Sequence, residues 1–176
     1  MSLTRTILAA HLVVASLSAL AGCSRSAPTT VTSGPSVEGR AYLLASEPSD
    51  AQGVTAARAD VSHADEVAVF GRIGGDPSPW VAGQAAFLLV DSDLTPCNER
   101  DGDACPTPWD YCCDLDVLPT HKAMVRIVDA DGRTVPTDAR KLLGVQELQA
   151  VVVRGKALRD EAGNLTVLAE GVFVRP

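Results

Sequence analysis

The sequence predicts a mainly β domain, a small five-stranded barrel with one helix between its third and fourth strands. Aromatic residues make up only 4% of the chain, whereas apolar residues make up 46%. The core must therefore come mainly from Val, Leu, Ala and Ile, and β-branched side chains favour strands. Five apolar segments of strand length follow one another, and one segment with helical spacing separates the third from the fourth.

The five predicted strands differ in length and in pattern. They cover residues 67–73, 85–90, 123–128, 149–158 and 165–174. The second is an unbroken apolar run, as expected for a strand that is buried on both faces. The last two are the longest, and they are joined by a hairpin loop in which Gly163 and Asn164 are suited to positive φ.

Two segments have helical character. Residues 138–148 carry apolar side chains at helical spacing, with Asp138 near the start. Residues 48–61 predict a small Ala-rich helix capped by Asp50, although Gly53 weakens it. The order strand, strand, strand, helix, strand, strand is that of an OB-fold. Another small β-barrel or a sandwich is the alternative.

The charge of the chain argues against one class of partner. The sequence has 15 basic and 22 acidic residues, and its formal net charge is −7. An acidic domain is repelled by phosphate backbones, so we expect no nucleic-acid partner.

The N-terminus carries an export signal. Residues 7–20 form an apolar stretch after the single charge of Arg5, and this stretch is too short for a membrane-spanning helix, which needs about 20 residues. Residues 20–23 read Leu-Ala-Gly-Cys and resemble the lipobox of bacterial lipoproteins. The resemblance implies cleavage after residue 22 and acylation, palmitate included, at Cys23. An ordinary secretory signal with a chance cysteine is the alternative.

The implied location is the cell envelope. An acylated Cys23 anchors the protein to a membrane on its periplasmic side, and the absence of Asp after Cys23 implies the outer membrane by the sorting rules of lipoproteins. Residues 23–38 then form the lipidated cysteine and a flexible linker, because ten of the 15 residues after Cys23 are Ser, Thr, Pro or Gly. The β domain covers residues 39–176.

Residues 91–122, between the second and third strands, form a Cys-rich acidic insertion. They contain eight carboxylates and four cysteines, Cys97, Cys105, Cys112 and Cys113. Outside the cytoplasm we expect two disulfides. A bond between the adjacent Cys112 and Cys113 would be strained. Two pairings remain: Cys97–Cys113 with Cys105–Cys112, or Cys97–Cys112 with Cys105–Cys113.

Metal binding and thiol chemistry are the alternatives for this loop. Four thiolates suit zinc, but the spacing C-x7-C-x6-C-C departs from the C-x2–4-C pairs of zinc sites. Four carboxylates are candidate ligands for a hard cation such as calcium: Asp91, Asp93, Asp101 and Asp103. A redox pair would show C-x-x-C, which is missing. We expect no bound cofactor.

Trp109 and Tyr111 are the candidate contacts to a partner, because exposed aromatic residues often anchor interfaces. A Trp in such a loop more often covers a disulfide or the mouth of a barrel, and we prefer that interpretation for Trp109.

Four segments together resemble uncharacterised bacterial lipoproteins with an OB-fold-like domain. The most specific is Pro-Thr-Pro-Trp-Asp-Tyr-Cys-Cys at residues 106–113, and the others lie at residues 71–75, 86–91 and 164–168. The resemblance covers about residues 40–175. It implies a fold and a membrane address but no catalytic residue.

These observations predict a membrane-anchored envelope lipoprotein without enzymatic activity. No Ser-His-Asp elbow, phosphate loop or zinc-protease helix is present in the sequence. We expect the domain to bind a protein or peptide, such as another envelope protein, with the Cys-rich loop as a disulfide-stapled platform. The alternative is a metal-binding or thiol-redox protein that uses the same loop.

Overall fold

The computed structural model describes residues 34–176. The predictions of a signal peptide, of lipidation at Cys23 and of the first part of the linker lie outside the described residues. Within the described part of the chain, no helix has the length and the apolar character needed to cross a membrane.

Strands dominate the described residues. They are β1 (Gln52–Gly53), β2 (Glu66–Ile73), β3 (Ala86–Val90), β4 (Lys122–Ile127), β5 (Ala150–Arg159) and β6 (Leu165–Val174). Residues 34–176 also contain two short α-helices, α1 (Val54–Asp60) and α2 (Ala139–Leu143).

Five strands close into a barrel in the order β2-β3-β4-β6-β5, and β5 pairs back with β2. The pairs are antiparallel except for β4 and β6, which run parallel. The short strand β1 adds a parallel edge to β2. Because α2 lies between β4 and β5, the predicted OB-like barrel, with a helix between strands three and four and a Cys-rich insertion, is confirmed.

The hairpin of β5 and β6 bends at a glycine. The register shifts between Arg154 and Gly155, and a Cβ atom on Gly155 would lie 1.9 Å from the carbonyl oxygen of Leu168. Only glycine allows the two backbones to approach so closely. At the tip, Gly163 has the predicted positive φ, 78°. Asn164 has none, and its side chain instead donates to Asp160 at 2.8 Å.

Helix α2 closes one end of the core and is shorter than predicted. Leu142 and Leu143 are buried, and Asp138 caps the helix as expected, accepting from the amide of Arg140 at 3.0 Å. The helix ends at Gly144, which has a φ of 71°. The left-handed conformation of this residue stops the helix before residue 148, so the prediction over residues 138–148 is wrong at its C-terminal end.

Helix α1 is also shorter than the predicted segment 48–61, and Asp50 does not cap it. Gly53 is extended and pairs with β2, so the helix begins only at Val54. The carboxylate of Asp91, at the end of β3, takes the role of the cap. It accepts from both the amide and the hydroxyl of Thr55 at 2.6 Å.

The segment just before the predicted domain boundary lies against α2. The amide of Ser36 donates to the carbonyl of Leu142 at 3.0 Å, and a Cβ on Gly39 would meet the same carbonyl oxygen at 1.6 Å. The end of the predicted linker, residues 34–38, therefore contacts α2.

Candidate metal centre

The insertion between β3 and β4 is built from short 3-10 segments. These segments are Cys97–Glu99, Pro108–Asp110, Cys112–Asp114 and Leu118–Thr120. Between the second and the third, Tyr111 adopts the left-handed conformation with a φ of 57°. This single residue separates the two segments, as it ends the first and precedes the second.

Tyr111 also anchors the loop to the barrel. Its side chain is fully buried and packs with Val90 and Leu118 in a small cluster apart from the main core. Burial raises the pKa of its hydroxyl to about 12, and the hydroxyl has no hydrogen-bond partner among the described residues. The expectation that Tyr111 contacts a partner is wrong, because the ring faces inward.

Trp109 covers the turn that follows β2. Its indole nitrogen donates to the carbonyl of Pro77 at 3.1 Å, and its own carbonyl accepts from the amide of Gly75 at 2.7 Å. A Cβ on Gly74 would lie 2.6 Å from that carbonyl oxygen. The Gly-Gly pair is thus needed for the close approach of the loop. Trp109 lies over this turn, and a role in covering a disulfide or the mouth of the barrel stays a prediction.

The loop gathers three of its four cysteines around one carboxylate. Ligand atoms of Cys97, Cys105, Cys112 and Asp110 all lie within 4.8 Å of one another. The Cys112 sulfur is 3.6 Å from that of Cys97 and 3.8 Å from that of Cys105. Nowhere else in residues 34–176 do three or more His, Cys, Asp or Glu side chains converge in this way.

Asp110 is held in place by its own segment. One carboxylate oxygen accepts from the Cys112 amide at 2.9 Å and the other from the Thr107 hydroxyl at 2.8 Å. The first oxygen also lies 3.9 Å from the sulfurs of both Cys97 and Cys105. Partial burial raises the pKa of Asp110, but these hydrogen bonds lower it more, so the carboxyl is ionised at neutral pH.

The cluster is closed on one side and open on the other. Cys97 is buried, Cys105 and Asp110 are half-buried, and Cys112 is exposed. Hydrogen bonding with Cys97, then with Cys105, raises the pKa of the Cys112 thiol above its ordinary value. A bound metal ion would reverse this preference of Cys112 for the thiol, because a coordinating thiol is deprotonated.

Neither predicted pair of disulfides is present. A disulfide bond is about 2.05 Å long, whereas the closest sulfurs among the described residues are 3.6 Å apart. Both pairings also need Cys113, which is exposed and lies outside the cluster although it follows Cys112 directly. The predicted connectivities are therefore wrong for this arrangement of the loop.

The four aspartates predicted to bind a cation are not brought together. Asp91 is buried and bound to α1; Asp93, Asp101 and Asp103 are exposed. Asp103 instead accepts from the amide of Cys105 at 3.2 Å. The expectation of a calcium site made by these residues is wrong.

Two ion pairs brace the segments that carry the cysteines. Arg100 pairs with Asp114, and its Nε donates to the carbonyl of Thr95 at 3.2 Å. Arg72 of β2 pairs with Glu99, which follows Cys97 in the same 3-10 segment. The pairs tie the cysteine segments to each other and to the barrel.

Sequence analysis missed Asp110 as a ligand. It was counted only among the eight acidic residues of the loop, yet it lies two residues before Cys112 and five after Cys105. Its position inside the cysteine run was the available signal.

No family model matches this sequence, and no curated protein is significantly similar to it. The resemblance to lipoproteins with an OB-fold-like domain therefore stays a prediction.

Proposed function

We propose that this protein binds one transition-metal ion, Zn²⁺ in preference, through Cys97, Cys105, Cys112 and Asp110. The separation of the sulfurs carries the proposal. Around a tetrahedral zinc ion with Zn–S bonds of about 2.3 Å, the sulfurs lie about 3.8 Å apart. The two sulfur separations at Cys112 are 3.6 and 3.8 Å, close to this value and far from a disulfide.

The donor set selects the class of metal. Ca²⁺ and Mg²⁺ bind oxygen ligands almost exclusively, so three sulfurs exclude them as the preferred ion. Thiolates favour Zn²⁺, Cu⁺ and iron, and a carboxylate as the fourth donor suits Zn²⁺ better than the softer Cu⁺.

A metal would take over the role that the sequence assigned to disulfides. The loop has no long helix or strand among residues 91–122, so it needs cross-links to hold one conformation. A bound ion links the segments at residues 97, 105 and 110–112 at a single point. It also protects thiolates in a compartment that favours their oxidation.

The proposed location is the periplasmic face of a membrane, through lipid on Cys23. The support for it is the Leu-Ala-Gly-Cys sequence at residues 20–23. In a bacterial host, the wild-type chain should fractionate with membranes and incorporate labelled palmitate. The Cys23→Ser variant should do neither.

A second candidate function is binding of an envelope protein or peptide. It is favoured by two apolar side chains that stand out from the loop: Leu115 is 64% exposed and Val117 is 36% exposed. Crosslinking in cells should capture a partner, and Leu115→Ser should abolish that capture without changing metal content.

The experiment for the metal site compares two adjacent cysteines. The full chain with Cys23→Ser is purified under reducing conditions, stripped of metal and titrated with Zn²⁺ against a chromophoric chelator. We expect one zinc per chain. Cys112→Ser should weaken binding by about 100-fold or more, because it removes a ligand, whereas Cys113→Ser should leave the affinity unchanged.

Intact mass measurement shows whether the cysteines are oxidised and whether a metal is bound, and it can therefore contradict the proposal. Two oxidised cysteine pairs without metal, after purification from an oxidising compartment, would restore the disulfide-stapled platform. Equal zinc affinities of the Cys112→Ser and Cys113→Ser variants would show that the ion binds elsewhere.

A further inference from the structure

A cavity of about 330 Å³ opens beside the cysteine cluster. Two of the four proposed ligands, Asp110 and Cys112, form part of its wall. Apolar side chains form much of the remainder and include Pro77, Leu115 and Leu118. The lining also contains one basic residue, Lys122. The proposed metal would therefore face a largely apolar cavity on the side of Asp110 and Cys112, whereas Cys97 is buried.

Asp110 is the ligand best suited to leave the metal. It is the only oxygen donor among three sulfurs, and zinc holds a fourth thiolate at least as well as a carboxylate. Its oxygens already accept hydrogen bonds from Thr107 and from the Cys112 amide. These bonds would stabilise the carboxylate after the metal–oxygen bond has broken.

Lys122 supplies a charge with no partner of its own. It is the only basic residue that lines the cavity, and it forms no ion pair with another residue of the described chain. Asp76 also lines the cavity, but its carboxylate accepts from the Ser78 amide at 2.8 Å. An anionic group that enters the cavity would thus meet Lys122 as the single cation of the lining, beside the carboxylates of Asp76 and Asp110.

We infer that the metal keeps one exchangeable position, which takes a small thiol bearing a carboxylate. This inference rests on the proposed metal site. The sulfur of the ligand would take the position of Asp110, whose carboxylate would keep both electrons of the bond it gives up and its hydrogen bonds from Thr107 and the Cys112 amide. The thiol proton would go to solvent, no electron would be transferred, and the ligand carboxylate would pair with Lys122. The cavity volume lies at the lower end for ligand pockets, which suits a molecule of a few heavy atoms.

The test uses cobalt as a spectroscopic substitute for zinc. The full chain with Cys23→Ser is loaded with Co²⁺, and 3-mercaptopropionate is added. Sulfur-to-cobalt charge-transfer absorption scales with the number of thiolates, so a change from three to four should raise it by about one third. Ultrafiltration after the addition should leave the cobalt with the protein.

Two variants separate the parts of the inference. Asp110→Cys should show the four-thiolate spectrum without added thiol and should not respond to 3-mercaptopropionate. Lys122→Met should bind 3-mercaptopropionate up to about five-fold more weakly, the value of one exposed ion pair. It should bind the neutral 2-mercaptoethanol with unchanged affinity.

The outcomes distinguish this inference from the proposed function. A chain that binds no cobalt would overturn both. Cobalt that binds but gives the same spectrum with and without thiol would overturn the exchangeable position alone, and so would cobalt that passes into the filtrate with the thiol. An equal response to both thiols in the wild type would overturn the role of Lys122.

Discussion

Replacing Asp91 with asparagine would test whether this carboxylate, distant from α1 in the sequence, holds that helix to the barrel. Asp91 is 1% exposed. One of its oxygens accepts from the amide and hydroxyl of Thr55 at 2.6 Å, and the other from the amide of Asp93 at 3.0 Å. The Asp91→Asn variant keeps the size of the side chain but replaces one acceptor oxygen with an NH₂ donor.

The expected loss follows from these contacts. Asp91 accepts from three donors, which are the amide and hydroxyl of Thr55 and the amide of Asp93. In the variant at least one of them faces an NH₂ group, and an unpaired buried donor costs about 1–3 kcal/mol. Loss of the negative charge at the first turn of α1 adds roughly 0.3–1 kcal/mol. We therefore expect destabilisation of about 1–4 kcal/mol, which lowers Tm by roughly 4–12 °C for a domain of this size.

The pH dependence gives the assay a second readout. Burial raises the pKa of Asp91, but the hydrogen bonds from Thr55 and from Asp93 lower it further, so the folded pKa lies below its ordinary value. The carboxylate thus contributes stability above the unfolded pKa of about 3.9, and this contribution is lost as the pH falls through the folded pKa. Urea unfolding at several pH values should show a constant difference between wild type and variant at neutral pH that shrinks below about pH 4.

Asp93→Asn is the matched control. Asp93 lies two residues away, is exposed, and its side chain forms no hydrogen bond or ion pair with the described residues. Its variant should unfold within about 0.5 kcal/mol of the wild type. Equal effects of the two substitutions, or a loss at Asp91 that persists unchanged to pH 2, would refute the reasoning.

Three further predictions concern packing and burial. Tyr111→Phe removes a buried hydroxyl that has no partner among the described residues, so the free energy of unfolding should stay the same or rise by up to about 1 kcal/mol. Tyr111→Ala should instead lower the free energy of unfolding by about 3–5 kcal/mol. A large loss of stability in the Phe variant would reveal a hydrogen bond. In a spectrophotometric titration, Tyr111 should ionise at about pH 12 rather than near 10, and the stability linked to its neutral form should be lost as the pH rises through 12. Gly155→Ala places a methyl group against the carbonyl of Leu168 and should lower the free energy of unfolding, measured in urea, by about 3 kcal/mol or more. The control is Gly83→Ala, where φ is positive but the added methyl group meets no atom. It should lower the free energy of unfolding by about 1–2 kcal/mol.

The barrel was predictable because strand patterns are local. The predicted segment at residues 165–174 coincides with β6, and the other four agree with their strands to within one residue at each end. Alternating or unbroken apolar runs, bounded by Gly and Asp, carry this information without reference to the rest of the chain. The order of the strands around one helix then selected the fold.

The helix ends were less predictable because distant residues decide them. Asp50 is close in sequence to α1 and was the obvious cap, yet Asp91 provides the carboxylate from the end of β3. Such a cap depends on the closed barrel, which brings β3 beside α1. Gly144 could have been identified as the end of α2, since glycine often follows a helix, but the apolar spacing that continues to Leu148 concealed it.

The cysteine cluster was only partly predictable. The sequence identified the loop and its four cysteines, and it left metal binding as an alternative. The spacing of the cysteines, however, argued against a zinc site. Two 3-10 segments and the left-handed Tyr111 shorten the path between residues 105 and 112. These local conformations have no periodic signal, so the approach of Asp110 to the sulfurs could not be read from spacing.

The two ends of the insertion leave the barrel at the same point. Val90 pairs with Lys122, and the amide of Asp91 donates to the carbonyl of His121 at 2.8 Å. The segment is therefore a module in the topological sense, because a tight turn could join β3 to β4 and leave the strand order intact. The segment could therefore be transplanted into another hairpin that offers a Gly-Gly turn beneath it.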